Sequence, residues 1–253
     1  MTVKTVDALL VGAGAMSTTL AMMLNKLDPS LKICIVERLD QVAHESTDGW
    51  NNAGTGHAAY CELNYTPEEG KGKVNISKAL DINASFEVTL QFWTHLVKTG
   101  ALPTPKEFIN RTPHKSFVWG KKNVEFLRQR HELMSAHHLF EGMEFSEDPV
   151  TLADWMPLVM AERKGKDPVA ATNVQHGSDV DFGSLARNMV SHLEQQDNFE
   201  LLLGTSVEDM KRSSTGGWSV LLEDNKSGEV TRVRSKFVFL GAGGGALPLL
   251  QKS

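Results

Sequence analysis

The segment from Val6 to Glu37 constrains the fold more than any other part of the chain. The nearly continuous apolar run VDALLV leads into the glycine turn GAGAMS, as expected for a strand covered on both faces. Apolar residues at helical spacing follow until Asp28-Pro29, and a second apolar run, KICIV, ends at Glu37. A right-handed β-α-β unit accounts for this order, so the segment predicts a Rossmann-like parallel sheet.

The glycine turn also carries a chemical prediction. Gly12 permits a tight strand-to-helix turn, and Gly14 lets backbone amides approach a pyrophosphate at the helix N-terminus. Ser17 replaces the third glycine of the G-x-G-x-x-G pattern and is small enough for close helix–strand packing. Glu37 lies near the spacing of roughly 20 residues expected for a ribose-binding carboxylate. We therefore expect dinucleotide binding, with a purely structural turn as the alternative.

The middle of the chain lacks the β-α-β rhythm. We expect a long helix over 77–98 and a second one near 123–137, separated by short extended pieces and proline breaks. A β-meander is expected in NFELLLGTSVEDMKR, GWSVLLED and EVTRVRS, followed by a separate buried strand, KFVFL. The sequence thus predicts an α/β fold: a discontinuous Rossmann-like domain (1–75 and 176–253) with a β-meander, and an inserted, incomplete α+β substrate domain (76–175).

Composition narrows the function classes. The net charge of −5 and the pI near 6.0 argue against nucleic acid as a partner. No apolar run approaches the roughly 18 residues of a membrane-spanning helix, and a strand opens where a secretory signal would stand. Two cysteines are too few for a disulfide framework or a zinc site, and no residues show convincing metal-ligand spacing. We expect a cytoplasmic protein without a metal.

The stretch DGWNNAGTGHAAY, after the second strand, combines turn formers with bulky groups. In an FAD-binding unit this segment passes the pyrophosphate and then the flavin. It should therefore supply backbone donors and side-chain amides, which Asn51, Asn52, Gly54 and Thr55 offer. His57 could take a hydroxyl proton while a hydride leaves the adjacent carbon, or it could be a loop histidine that only fixes geometry.

A second glycine cluster begins at Gly241. A late strand that ends in such a turn returns beside the first strand in two-domain flavoproteins, and this favours FAD over NAD. A structural strand with a glycine-rich end is the alternative.

Four stretches together carry a family resemblance: VERLDQVAHESTDGWNNAGTGHAAYCELNYTP, PHKSFVWG, FSEDP and FVFLGAGGGALPLLQ. With them the chain resembles FAD-dependent malate:quinone oxidoreductases. It resembles more distantly L-2-hydroxyglutarate dehydrogenase and the glycine and D-amino-acid oxidase superfamily. The resemblance implies oxidation of (S)-malate to oxaloacetate in the tricarboxylic acid cycle. Electrons would pass through FAD to membrane quinone, with the protein peripheral on the inner face of the cell membrane.

The resemblance also assigns residues. The adenosine diphosphate part of FAD would be held by Gly12, Gly14, Ser17, Glu37 and Arg38. The pyrophosphate and flavin would run along Asn51, Asn52, Gly54 and Thr55. Val207 would contact the adenine through its backbone, and Gly241, Ala242 and Gly243 would approach the isoalloxazine.

The family pattern continues for about as many residues again. The resemblance therefore implies an N-terminal fragment that binds FAD poorly and does not turn over malate. Two alternatives stay open: a flavin dehydrogenase for L-2-hydroxyglutarate or an amino acid, and an inactive nucleotide-binding fragment.

Other polar and aromatic residues have simpler explanations. Arg111, His114 and Lys115 could bind malate carboxylates, but a solvated basic loop is favoured. A basic face at Lys121, Lys122, Arg128 and Arg130 could touch anionic lipid, but a solvated helix face is favoured. The five tryptophans, Trp50, Trp93, Trp119, Trp155 and Trp218, are expected to anchor the core.

Overall fold

A computed structural model describes residues 2–70, 72–163, 165–214 and 216–251. The chain forms two compact units. The sheet unit comprises Met1–Gly54, Leu96–Phe108 and Asp181–Ser253, and the insert unit comprises Thr55–His95 and Ile109–Val180. Both the sheet unit and the insert unit are discontinuous, and the chain crosses between them at other positions than the 75/76 and 175/176 boundaries expected from the sequence.

The strands, in chain order, are β1 (Thr2–Val11), β2 (Ile33–Val36), β3 (Glu68–Glu69), β4 (Lys73–Val74), β5 (Ile109–Arg111), β6 (His114–Trp119), β7 (Glu144–Ser146), β8 (Val169–Val174), β9 (Ser178–Val180), β10 (Phe199–Leu202), β11 (Thr205–Arg212), β12 (Trp218–Asp224) and β13 (Val230–Leu240). The α-helices are α1 (Ala15–Leu27), α2 (Ser77–Lys98), α3 (Lys121–Ser135), α4 (Pro149–Trp155), α5 (Pro157–Met160), α6 (Phe182–Leu193) and α7 (Ala246–Gln251).

The sheet unit is built on a six-stranded sheet with the order β10-β2-β1-β13-β12-β11. Strand β1 pairs in parallel with both β2 and β13, and β2 pairs in parallel with β10. All four residues of β2 are buried, as are the last four of β1, because α-helices and other elements cover the middle of a parallel sheet. The predicted β-α-β unit and the Rossmann-like α/β fold are confirmed.

Two strand assignments from the sequence are wrong. The stretches EVTRVRS and KFVFL are one continuous strand, β13, which pairs with β12 through its first half and with β1 along its length. In addition, NFELLLGTSVEDMKR is not one strand of a meander. It breaks at Gly204, which has a φ of +58°, so β10 joins β2 in parallel and only β11, β12 and β13 form the meander.

The insert unit contains the three-stranded sheet β6-β8-β7 and parts of the long helix α2. Helix α2 has the predicted bounds, and Gly100, at φ +74°, follows its end. The central strand β8 was not predicted, although all six of its residues are buried. Its sequence, VAATNV, mixes small and polar residues and shows neither a continuous apolar run nor a clean alternation.

The tryptophans do not all anchor a core. Trp93 is buried, whereas Trp50 is 97% exposed and Trp119 is 58% exposed. Trp50 sits in a turn where its backbone N–H donates to the Asp48 carboxylate, so its place is set by the turn and its ring gains no packing. In the described part of the chain, no helix combines the length and the apolarity needed to cross a membrane.

Candidate functional site

The glycine turn after β1 approaches the end of β13 more closely than any side chain would allow. Gly12 has a φ of +96°, and its N–H donates to the Val36 carbonyl over 2.7 Å. A Cβ at this position would lie 2.6 Å from the Gly241 carbonyl oxygen. Both the backbone angle and the lack of space therefore require glycine at position 12.

The small residues of the two glycine turns also pack on one another. Ser17 is fully buried, and a Cβ added at Gly241 would collide with its hydroxyl oxygen. This hydroxyl has no hydrogen-bond partner among the described residues. At Gly14 an added Cβ would lie 3.0 Å from the Thr47 hydroxyl, which accepts from the Ala15 N–H at the start of α1. Thr47 could not be identified from the sequence, because nothing local marks it as a partner of α1.

The carboxylate of Glu37 is fixed at the end of β2. One oxygen accepts from the Ala13 N–H at 2.7 Å and the other from the Leu39 N–H at 2.9 Å. A carboxylate has about four acceptor positions, so two remain for a ligand. Glu37 is thus oriented by the backbone and keeps acceptor positions for a further partner.

A cleft of about 580 Å³ opens where β1, β2 and β13 end. This volume is within the range of small-molecule and cofactor sites. Its lining includes seven residues that the sequence predicts to hold a cofactor: Gly12, Glu37, Arg38, Val207, Gly241, Ala242 and Gly243. Ligands of open parallel sheets bind at this edge, outside the carboxyl ends of the strands.

Gly14, Ser17, Asn51, Asn52 and Gly54 are not part of this lining. The two asparagines instead hold the segment that lines the cleft. The Asn51 side chain donates to the Glu45 carbonyl and the Asn52 side chain to the carbonyls of Ser46 and Asp48. Glu45 and Ser46 both line the cleft. Asn52 also accepts from the Gly54 N–H at 2.9 Å.

Thr55 and His57 belong to the insert unit. Thr55 forms an isolated antiparallel bridge with Asp179. The His57 side chain is 58% exposed, and its Nδ1 lies 3.5 Å from the Tyr65 hydroxyl and 4.0 Å from a Glu62 oxygen. The catalytic role of His57 stays a prediction.

The segment from Ala58 to Thr66 is held by buried side chains that lie far from it in the sequence. Arg130, fully buried, donates to the carbonyls of Ala59 and Tyr60 and to the Thr66 hydroxyl. Burial lowers the pKa of Arg130 to about 10, partly offset by the acidic groups of Cys61 and Glu62. Since it is buried, Arg130 cannot contact lipid or solvent, and its placement on a basic surface was wrong.

The basic cluster near position 111 is not a solvated loop. His114 is buried and its Nε2 lies 2.9 Å from the Ser178 carbonyl. Arg111 donates to the Gln175 carbonyl over 3.2 Å, and Lys115 donates to the Trp155 carbonyl. These side chains attach β5 and β6 to neighbouring segments, so the expectation of a loop was wrong, although Arg111 is exposed to solvent as expected. Across the described ranges, no cluster of three or more metal-binding side chains occurs.

The parallel sheet, the glycine turn against β13 and the cleft at the strand ends define a Rossmann-like α/β protein. Solved structures share this fold at low sequence identity. Glycine oxidase from Bacillus cereus aligns with a TM-score of 0.67 at 15% identity, over 97% of this chain and 57% of its own. L-proline dehydrogenase from P. horikoshii aligns with a TM-score of 0.63 at 12% identity, over 98% and 56%. These alignments show that the chain shares the fold of glycine oxidase and L-proline dehydrogenase.

The family model for malate:quinone oxidoreductase matches residues 4–253, and the chain belongs to this family. It is 66% identical to a probable malate:quinone oxidoreductase of Hahella chejuensis, over all of this chain and 51% of that protein. It is 58% identical to one of Methylobacillus flagellatus, over 98% of this chain and 50% of that protein. The chain spans about half the length of the curated relatives it matches.

Proposed function

We propose that the whole protein oxidises (S)-malate to oxaloacetate with FAD and passes the electrons to a membrane quinone. This chain would supply the FAD-binding sheet unit and part of the substrate domain. The observation that carries the proposal is the cleft formed by glycine backbone and the fixed Glu37 carboxylate, in a chain of the malate:quinone oxidoreductase family.

The residues present fit FAD. The two glycine turns offer backbone without side chains, as close approach to a pyrophosphate requires. Glu37 keeps acceptor positions for ribose hydroxyls, and the buried Ser17 hydroxyl has no partner in the described ranges. In this proposal, Gly12, Gly14, Ser17, Glu37 and Arg38 hold the adenosine diphosphate part. When bound, FAD supplies the hydride acceptor.

His57 is the proposed base for the malate hydroxyl. An imidazole is the side chain best suited to accept a proton near neutral pH. Its exposed position and its inward Nδ1 leave Nε2 as the atom that would take the proton. The alternative, a histidine that only holds the loop, predicts that activity survives its replacement by Gln.

A quinone dissolved in the membrane must be reached at the membrane surface. We therefore propose a peripheral location on the inner face of the cell membrane and a role in the tricarboxylic acid cycle. Cosedimentation of the full-length protein with vesicles, with and without quinone, tests the location.

The cofactor and the substrate are tested separately. The absorption spectrum of the purified chain shows whether it retains oxidised flavin, and Glu37→Gln should weaken FAD binding about tenfold to a hundredfold. The exposed Glu229→Gln is the matched control and should leave binding unchanged.

Turnover is then measured on the full-length protein with malate, L-2-hydroxyglutarate or glycine and an artificial electron acceptor. Faster oxidation of L-2-hydroxyglutarate than of malate would overturn the substrate assignment. Absence of bound flavin in both the chain and the full-length protein would overturn the assignment of FAD as the cofactor.

A further inference from the structure

The backbone of the four residues after His57 is held by side chains from elsewhere in the insert unit. The carbonyls of four consecutive residues, 58 to 61, each accept a hydrogen bond from a distant side chain. The donors are Asn83 to Ala58, Arg130 to Ala59 and Tyr60, and Ser116 to Cys61, at 2.8 to 3.1 Å. Asn83, Arg130 and Ser116 come from α2, α3 and β6, and all three are buried.

Ala59 adds a second sign of imposed geometry. It has a φ of +57°, which is uncommon for a residue with a side chain and costs on the order of 1 kcal/mol. It is fully buried, so the surrounding bonds impose this conformation on it. Strained backbone of this kind persists only where the surroundings over-determine it, and it is enriched at functional sites.

Glu62 directly follows this held segment, and its carboxylate approaches His57. The Glu62 side chain is 18% exposed, and neither of its oxygens accepts a hydrogen bond of normal geometry from the described residues. One oxygen lies 4.0 Å from His57 Nδ1. The pKa of Cys61 is raised to about 11, mainly by burial, then by the negative charge of Glu62 and by a hydrogen bond between the thiol and the Glu62 carboxylate. Glu62 is thus a largely buried carboxylate in contact with the Cys61 thiol, with further acceptor positions and one oxygen close to one nitrogen of an exposed imidazole.

Tyr65 competes for the same nitrogen. Its hydroxyl is 3.5 Å from Nδ1 and could donate to it, which would leave the proton on Nε2. Glu62 can only accept, which would place the proton on Nδ1. A hydrogen bond to an ionised group is roughly twice as strong as one between neutral groups, so the carboxylate should decide the tautomer. Distances between such groups are often long before a ligand is bound.

We propose that Glu62 is the positioning residue for His57: its carboxylate holds the imidazole with Nδ1–H inward and leaves Nε2 outward as the proton acceptor. Arg130 and the other buried donors fix the backbone from which Glu62 acts. The inference rests on the proposed function for the role of His57 as a base. The tautomer itself does not depend on that function.

The tautomer is measured by nitrogen NMR of the isotopically labelled full chain, with the His57 signals assigned from His57→Gln. In Glu62→Gln the ratio of Nδ1–H to Nε2–H should fall about threefold to fivefold, the size expected for a half-exposed pair. Glu62→Asp keeps the charge and should restore part of the ratio. The exposed Glu132→Gln, the matched control, should not change it.

Tyr65→Phe keeps the test decisive if Glu62→Gln does not fold. Removing the competing hydroxyl should leave the ratio unchanged or raise it. A native-like Glu62→Gln with an unchanged ratio, or a ratio that falls in Tyr65→Phe, would overturn the inference.

Turnover of the full-length protein separates this inference from the proposed function. With malate, Glu62→Gln should lower kcat about tenfold and change KM little, and Glu62→Asp should recover part of kcat. If the wild type does not oxidise malate while the tautomer still responds to Glu62, the proposed function fails and the positioning of His57 stands. If malate is oxidised and kcat does not change in Glu62→Gln, the positioning role fails.

Discussion

The sheet unit and the insert unit build their candidate sites from different materials. The cleft of the sheet unit depends on close backbone approach at Gly12 and Gly241 and on a carboxylate held by two backbone amides. The segment around His57 in the insert unit depends on buried polar side chains, above all Arg130. A site built on close backbone contact is damaged by larger side chains, whereas a site held by buried side chains is damaged when those side chains are removed. We therefore expect enlarging substitutions to damage the sheet unit and truncating ones to damage the insert unit.

The largest expected effect is the loss of Arg130. Arg130→Leu removes the donors to Ala59, Tyr60 and Thr66 and leaves the Glu62 charge without its buried counter-charge. We expect the free energy of unfolding in urea to fall by about 3–5 kcal/mol. Arg128→Leu, at an exposed position of the same helix paired with Glu147, should cost less than about 1 kcal/mol. Equal losses in the two variants would contradict the distinction between a buried and an exposed guanidinium.

The second effect is the gain of a single atom in the cleft. Gly12→Ala places a Cβ 2.6 Å from the Gly241 oxygen at a φ of +96°. Strain and overpacking together should cost about 2–4 kcal/mol and abolish FAD retention. Gly228→Ala shares a positive φ, +69°, but has no neighbouring atom within 4 Å, so it should cost only about 1 kcal/mol. A Gly228→Ala that unfolds as readily as Gly12→Ala would show that backbone angle, and not crowding, controls this site.

The same contrast explains how much the sequence could predict. Gly12, Ser17 and Glu37 lie within one β-α-β unit, so their relation follows from local order and spacing. The pairing of β13 with β1 could be expected because the second glycine turn matches the first. Arg130 acts on carbonyls 70 and 71 residues earlier in the chain, and no local pattern distinguishes it from the exposed Arg128. Glu62 was also missed, because its burial beside His57 cannot be read from the residues around it.

The asparagines show a middle case. Their amides were predicted to reach the cofactor, and in the structure they instead hold the carbonyls of residues that line the cleft. The amides donate hydrogen bonds to the backbone, and whether they also reach a cofactor stays a prediction, because the choice of partner depends on how the loop closes. Strand β8 is a further case, because its burial comes from the sheet and the helices around it.

The third and smaller expected effect is that of Ser17→Ala, which distinguishes a hydroxyl that only packs from one that binds a ligand. Ser17→Ala removes the buried hydroxyl that has no partner among the described residues. Without ligand, the change in the free energy of unfolding should stay below about 1 kcal/mol, because no hydrogen bond is lost. FAD affinity should nevertheless fall about tenfold if this hydroxyl binds the cofactor. Unfolding with and without FAD measures both, and Ser214→Ala at an exposed turn serves as control.

The smallest effect concerns a half-exposed side-chain contact within the sheet unit, where we expect side chains to matter least. Lys26 Nζ lies 3.1 Å from His192 Nε2, between α1 and α6. Burial, and then the charge of Lys26, lower the pKa of His192 below its ordinary 6.5. The unfolded chain therefore binds the proton more tightly. The contribution to stability is complete above the unfolded pKa and is lost as the pH falls toward the folded one.

We expect stability to decline by less than about 1 kcal/mol on acidification from roughly pH 8 to pH 5 through this pair. His192→Gln should remove this part of the pH dependence, and Lys26→Met should remove a smaller share, since burial is the larger cause. Urea unfolding at several pH values measures both. A stabilising contribution of His192 that grows on acidification would reverse the sign argued here. It would mean that the contact stabilises the charged imidazole, which a neighbouring lysine cannot do.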